Sequence, residues 1–207
     1  MQVGEYWLLA LGFSAQALFF ARTLVQWLVS ERAGKVISPV IYWQLSLWGS
    51  VLMQAYGYFR EDLVIVLGQL IVYGVYLRNL AFMGKWKGLS LWIRATLICA
   101  PGILATVLLS NGSFSLETLW KNGDSNLFWT SWGMGGQLIF SMRFIYQWLY
   151  SERKKESVLP KGFWILSTVG AMLVLVYGIH RQDLVLLLSN ALGMSIYVRN
   201  LVLLRRK

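Results

Sequence analysis

The chain has 207 residues, of which 57% are hydrophobic and only 14% charged, with a net charge of +10 and a mean hydropathy of +0.55. Soluble domains carry about 25% charged residues, and here no polar face accompanies the apolar runs, so the composition argues against a soluble two-domain protein and predicts a polytopic membrane protein. Cys99 is the single cysteine, which excludes an intrachain disulfide and a thiolate metal cluster, and the basic residues sit in short loops between apolar segments, a pattern of membrane orientation rather than of nucleic-acid binding.

Apolar segments near the ~20 residues that cross a bilayer core are predicted at about 5–29, 39–59, 63–80, 89–110, 127–149, 160–179 and 183–204. The first lacks the basic region and small-residue cleavage site of a signal peptide and reads, from Tyr6 onward, as a retained helix. Pro39 and Pro160 suit the first turns of the second and sixth helices, where a missing N–H costs nothing. Asp62 and Asp183 precede the third and seventh helices as N-caps. The fourth helix, Leu89 to Ser110, is followed by the longest polar loop, 111–126.

Residues 16–80 recur without a gap at 137–201, at a constant offset of 121 positions, and about 26 of the 65 aligned positions are identical. The fourth helix has no counterpart in this duplication. One extra spanning helix restores the orientation of the second copy, so the two three-helix repeats are expected to lie parallel. The expected organisation is a first repeat at 5–80, a linker helix and extracytoplasmic loop at 81–126, and a second repeat at 127–204. Fourteen basic residues fall on one side of the expected membrane, against Arg60, Lys121 and Arg181 on the other. The positive-inside rule therefore predicts an N-terminus outside and a C-terminus in the cytoplasm.

Two basic residues fit neither side. Arg22 and Arg143 occupy the same position in the first and fifth helices, and Arg22 stands eight residues, or about 12 Å, before Ser30. A charge at mid-helix costs roughly 2.5–3.5 kcal/mol on insertion scales and normally faces a ligand or a polar interior, unless the side chain snorkels to the headgroups. Gln26 and Gln147 follow four residues later on the same face. These four residues form a candidate site for a phosphate, whose oxygens match the guanidinium fork. Glu31 and Arg78, and likewise Glu152 and Arg199, are expected to pair within each repeat as structural clasps, with Asn79 and Asn200 beside them. Trp27, Trp43, Trp148 and Trp164 suit an aromatic belt at the cytoplasmic ends, or alternatively a stacking surface for a sugar ring. Gly49, Gly57, Gly170 and Gly178 are expected to permit close helix packing. His180 is unrepeated and reads as an interface residue.

The motifs Gln-Trp-x-x-Ser-Glu, Pro-x-x-x-Trp-x-x-Ser-x-x-Gly, Tyr-Gly-x-x-Arg-x-Asp-Leu-Val and Tyr-x-Arg-Asn-Leu, each present twice, resemble the lipid A biosynthesis N-terminal domain family. The resemblance covers residues 12–80 and 133–201. It implies an all-α membrane protein of the PQ-loop and SWEET-like kind, with seven transmembrane helices as two parallel three-helix repeats joined by a linker helix. The Pro-Gln dipeptide of that group is absent, since Val40 follows Pro39 and Lys161 follows Pro160. It further implies a bacterial inner-membrane location beside lipid A synthesis. Tandem copies resemble flippases for polyprenyl-phosphate-linked sugars, especially aminosugars that decorate lipopolysaccharide.

With no Walker loop, no Asp-x-Asp motif, no metal constellation and no nucleophile–His arrangement in the sequence, the chain is expected to be no enzyme and to use no cofactor. Its expected partners are a polyprenyl-phosphate-linked sugar, membrane lipids and lipid A modification enzymes, with movement driven by the substrate or an ion gradient. A SWEET-like carrier of free sugar and a non-transporting scaffold for lipid A enzymes are the alternatives.

Overall fold

Apolar runs of about twenty residues satisfy their backbone internally when they coil, and the computed structural model shows seven α-helices and no strand among its described residues, which are 3–60, 63–88, 90–110, 127–182 and 184–205. The helices are α1 (Val3–Ala33), α2 (Val40–Phe59), α3 (Leu63–Phe82), α4 (Leu91–Ser110), α5 (Leu127–Lys154), α6 (Lys161–Arg181) and α7 (Leu184–Arg205). By length and composition, two of these described helices contain stretches apolar enough to cross a membrane, Tyr6–Ala33 and Lys161–His180. Helices such as α2 are diluted by Gln44, Ser46, Ser50 and Gln54, three of which are buried.

α1 and α5 run beyond their predicted ends at 29 and 149, because the Ser-Glu-Arg turns continue the helix. Each then closes with a backbone bond spanning five residues, Lys35 N–H to Ser30 O (3.2 Å) and Glu156 N–H to Ser151 O (3.3 Å), across a left-handed residue. That residue is Gly34 (φ 63°) after α1 and Lys155 (φ 57°) after α5. Pro39 and Pro160 sit one position earlier than expected. Both are extended N-caps, with ψ of 153° and 164°, rather than first-turn residues. Asp62, Asp183 and the 111–126 loop lie outside the described residues.

The chain divides into two compact units, residues 1–22 with 39–118 and residues 23–38 with 119–207. The segment 23–38 thus belongs to the second unit rather than with the rest of the first repeat. Within the first unit, Trp43 packs edge-on against Tyr42 (4.8 Å between centroids) and near Tyr76 (6.1 Å). Trp164 repeats this in the second unit, with Phe163 at 4.9 Å and Tyr197 at 6.1 Å. Trp43 and Trp164 are 0% and 1% exposed, which corrects both the belt and the sugar-stacking expectation for them: their indoles are core. Trp148 is exposed and Trp27 half-buried. In the second unit His180 stacks on Trp129, with centroids 4.1 Å apart and planes 10° from parallel.

Polar side chains share the interior with the apolar core, and large apolar ones lie outside. Arg22, Ser46, Ser50, Gln54 and Asn79 are buried, as are Arg143, Gln147, Ser151, Ser167 and Asn200, whereas Phe13, Trp48, Ile71, Leu138 and Ile179 are all exposed by 60% or more.

Candidate functional site

Position 22 places a guanidinium on the face of α1 that meets α2 and α3 within the first unit. Arg22 is 6% exposed. Its Nη1 donates to Ser46 Oγ and to the Tyr76 hydroxyl, each at 2.9 Å. Ser46 accepts that bond while donating to the Tyr42 carbonyl one turn earlier (2.6 Å). Aromatic rings complete the cage: the guanidinium carbon lies 4.7 Å from the Phe19 centroid and 5.5 Å from those of Tyr42 and Tyr76. Such contacts contribute about 0.5–2 kcal/mol each where water is excluded.

The second unit repeats the plan with fewer polar partners. Arg143 is equally buried, at 6% exposure. Its Nη1 reaches the Tyr197 hydroxyl at 3.4 Å, and Ser167, the counterpart of Ser46, is bonded to the Phe163 carbonyl (2.6 Å). The rings of Phe140, Phe144, Phe163 and Tyr197 surround the cation, with Phe140 closest at 3.4 Å from centroid to guanidinium carbon. The Nε of Arg143, like that of Arg22, is buried without an acceptor among the described residues.

Gln26 and Gln147 do something other than extend the arginine site. Gln26 Nε2 donates to Ser30 Oγ (2.9 Å) and the Ile37 carbonyl (3.3 Å), and Gln147 Nε2 to Ser151 Oγ (2.8 Å) and the Val158 carbonyl (2.9 Å). The same serines accept the amide N–H of Ile37 (3.0 Å) and of Val158 (3.2 Å). Each Gln–Ser pair therefore ties the end of a long helix to the loop that follows, fixing the approach to Pro39 or Pro160. The expectation that both glutamines bind phosphate gives way to this structural role, because their amide N–H groups are already engaged.

The clasp pairing also needs correction. Arg199 grips Glu31, with Nε donating to Oε2 at 2.8 Å and Nη2 donating to Oε1, a two-pronged fork inside the second unit. Next to it, Gln26 and Asn200 exchange amide bonds, Nε2 to Oδ1 at 2.9 Å and Nδ2 to Oε1 at 3.3 Å. Glu152, expected on Arg199, pairs with Lys155 (2.8 Å) on the exposed end of α5. The Arg78 guanidinium lies over the Phe82 ring at 4.4 Å, and Asn79 donates to the Val75 carbonyl (2.8 Å). Residues 26 and 31 belong to the unit that contains residues 199 and 200, so the pairing follows the units rather than the repeats.

Phe19, Ser46 and Tyr76, with Phe140 and Tyr197, are partners of the arginines that their pattern in the sequence does not by itself assign. The signal lay in the duplication: phenylalanine three residues before the arginine, and the serine and tyrosine on the next two helices, are retained in both copies.

The arrangement defines a duplicated three-helix unit with a caged cation in each copy. The model of the Lipid A Biosynthesis N-terminal domain matches the chain twice, at residues 11–81 and 132–202, and the chain belongs to that family. Curated relatives include the lipid-A-disaccharide synthases of Chlamydia muridarum and Chlamydia abortus, each 32% identical, over 97% and 95% of this chain respectively, and that of Chlamydia trachomatis, 30% identical over 97%. The chain spans about a third of the length of these relatives, 35%, 33% and 35% of each. No solved structure matches. The family and these relatives place the chain in the context of lipid A biosynthesis. They also overturn the expectation that it is no enzyme, since relatives matched along nearly its whole length carry the name of one.

Proposed function

We propose that this chain is a multi-pass protein of the bacterial inner membrane that moves a polyprenyl-phosphate-linked sugar across the bilayer, serving lipid A synthesis of the kind its relatives are named for. The observation that carries the reading is a guanidinium buried at the same place in each repeat, in a chain that also leaves many large apolar side chains exposed. An intramembrane cation marks a ligand or ion path. A phosphate offers the oxygens that a guanidinium fork accepts, while a polyprenyl tail needs no polar pocket. One of the two caged arginines is the phosphate seat. Glu31, Arg199, Gln26 and Asn200 hold the helix ends that frame the second unit.

All seven helices span the membrane in this reading, with parallel repeats, the N-terminus periplasmic and the C-terminus cytoplasmic. Gly123→Cys and Lys154→Cys, each in a Cys99→Ser background, are expected to label from opposite faces. In intact spheroplasts position 123 reacts with a membrane-impermeant maleimide, and position 154 reacts only after permeabilisation. Reaction of both from outside contradicts the topology.

A strain lacking this gene is expected to accumulate the polyprenyl-phosphate-linked sugar on the cytoplasmic face of its inner membrane. Lipid extracts indistinguishable from those of the parent strain count against translocation.

A further inference from the structure

The two cages are not equivalent: they differ in the hydrogen bonds that hold the guanidinium. A guanidinium has five N–H donors and no acceptor. In the first cage, Arg22 makes two 2.9 Å bonds from Nη1, to Ser46 and Tyr76. In the second, the guanidinium of Arg143 has one long bond among the described residues, 3.4 Å from Nη1 to Tyr197; the Nε of both arginines is buried without an acceptor there, so the cages differ at Nη1. The surrounding sequence widens the gap: where the first repeat has Thr23 and Tyr42, the second has Phe144 and Phe163. Ser46 and its counterpart Ser167 both donate to the carbonyl one turn earlier, at 2.6 Å, but only Ser46 also accepts from its arginine among the described residues.

A buried, under-bonded cation is costly, and ring contacts offset only part of that cost. A buried anion with two adjacent oxygens would supply both the counter-charge and the missing acceptors. Proteins keep such a group where it is used. We propose that the second repeat alone holds the phosphate seat, with Arg143 as its anchor and the Tyr197 hydroxyl beside it, and that Arg22 serves the fold of the first repeat. This deepens the lipid-phosphate reading above and rests on it.

The test measures binding of farnesyl monophosphate to the full chain in detergent, with farnesol and inorganic phosphate as comparators, and records a melting curve for every variant. Arg143→Ala is expected to weaken farnesyl monophosphate binding ten-fold or more. Arg143→Lys, which keeps the charge and loses the planar fork, guards against a folding defect and weakens it several-fold. The loss at Arg143→Ala should exceed that at Arg22→Ala by at least ten-fold, measured on folded protein. The melting temperature should order the other way, falling further for Arg22→Ala because Ser46 and Tyr76 lose their shared donor.

Competition by inorganic phosphate at millimolar concentration, with loss of that competition in Arg143→Ala, shows a seat that reads the phosphate by itself. No competition, with farnesyl monophosphate still dependent on Arg143, shows a seat that takes phosphate only as a lipid headgroup. Equal losses at the two arginines overturn the single-seat proposal and leave the lipid-phosphate reading intact. Farnesol binding as tightly as farnesyl monophosphate, or full binding in the Arg22→Ala, Arg143→Ala double variant, overturns both.

Discussion

Gly170→Ala is expected to break the packing of α5 on α6 and to lower the melting temperature of the purified protein by several degrees. A Cβ at position 170 would lie 2.7 Å from the Cα and backbone nitrogen of Phe140. Backbone cannot rotate away, so one helix must shift against the other. Overpacking of this kind costs about 1–3 kcal/mol, more than the ~1 kcal/mol that alanine gains over glycine inside a helix. Two comparisons set the scale. At Gly49, the same place in the first repeat, the Cβ would meet the Phe19 ring edge at 2.7 Å, and that ring can turn, so the loss should be smaller. At Gly68 nothing lies within 4 Å, so Gly68→Ala should stabilise slightly. Equal melting temperatures for Gly170→Ala and Gly68→Ala would show that α5 and α6 do not pack this closely.

The second large effect concerns the buried amide pair of Gln26 and Asn200. Replacing either one by leucine leaves the partner's amide in the core with bonds unmade, a loss of about 1–3 kcal/mol. Replacing both leaves neither amide facing an apolar partner, so the loss from their mutual bonds is counted once, while Ser30 and the Ile37 carbonyl still lose Gln26. A double-mutant cycle on Gln26→Leu and Asn200→Leu is therefore expected to give a combined loss well below the sum of the single losses, read from denaturation midpoints. Strict additivity would mean that the two amides do not meet. The cycle also reports on the segment 23–38, because it tests a bond that this segment makes to α7 within the second unit.

The helices, their order and the duplicated cations were legible in the sequence for simple reasons. Apolar length predicts a helix almost regardless of context, and a constant offset of 121 positions survives any uncertainty in helix ends. The burial of Arg22 and Arg143 followed from their distance to the nearest helix terminus. Partner choice was not legible, and the duplication is the cause. Glu31 and Glu152 are the same residue in two copies, as are Arg78 and Arg199, so local pattern offers each acid two equivalent arginines. The structure gives Arg199 to Glu31, within the unit that holds both segment 23–38 and α7.

Gln26 and Gln147 misled for a related reason. Their spacing from the arginines is right for a shared face, but the same spacing of four residues also reaches Ser30 and Ser151, and the nearer hydroxyls take the amides. Trp43 and Trp164 lie at helix starts, where belt tryptophans are common, yet their indoles pack inside the units against Tyr42 and Tyr76, and against Phe163 and Tyr197. The expectation of a non-enzymatic chain rested on missing catalytic motifs, and short motifs cannot speak for relatives about three times as long that bear an enzyme's name.

Translocation of the lipid is the claim that ties these observations together, and a reconstituted assay reaches it directly. Proteoliposomes containing the purified chain and a fluorescent polyprenyl-phosphate-linked sugar are treated with dithionite, which quenches only the outer leaflet. The account predicts that quenching proceeds past the outer-leaflet half of the signal, and that it stops there in empty vesicles and in the Arg22→Ala, Arg143→Ala double variant. Quenching that stops at half with the wild-type chain, under every imposed ion gradient, would contradict it.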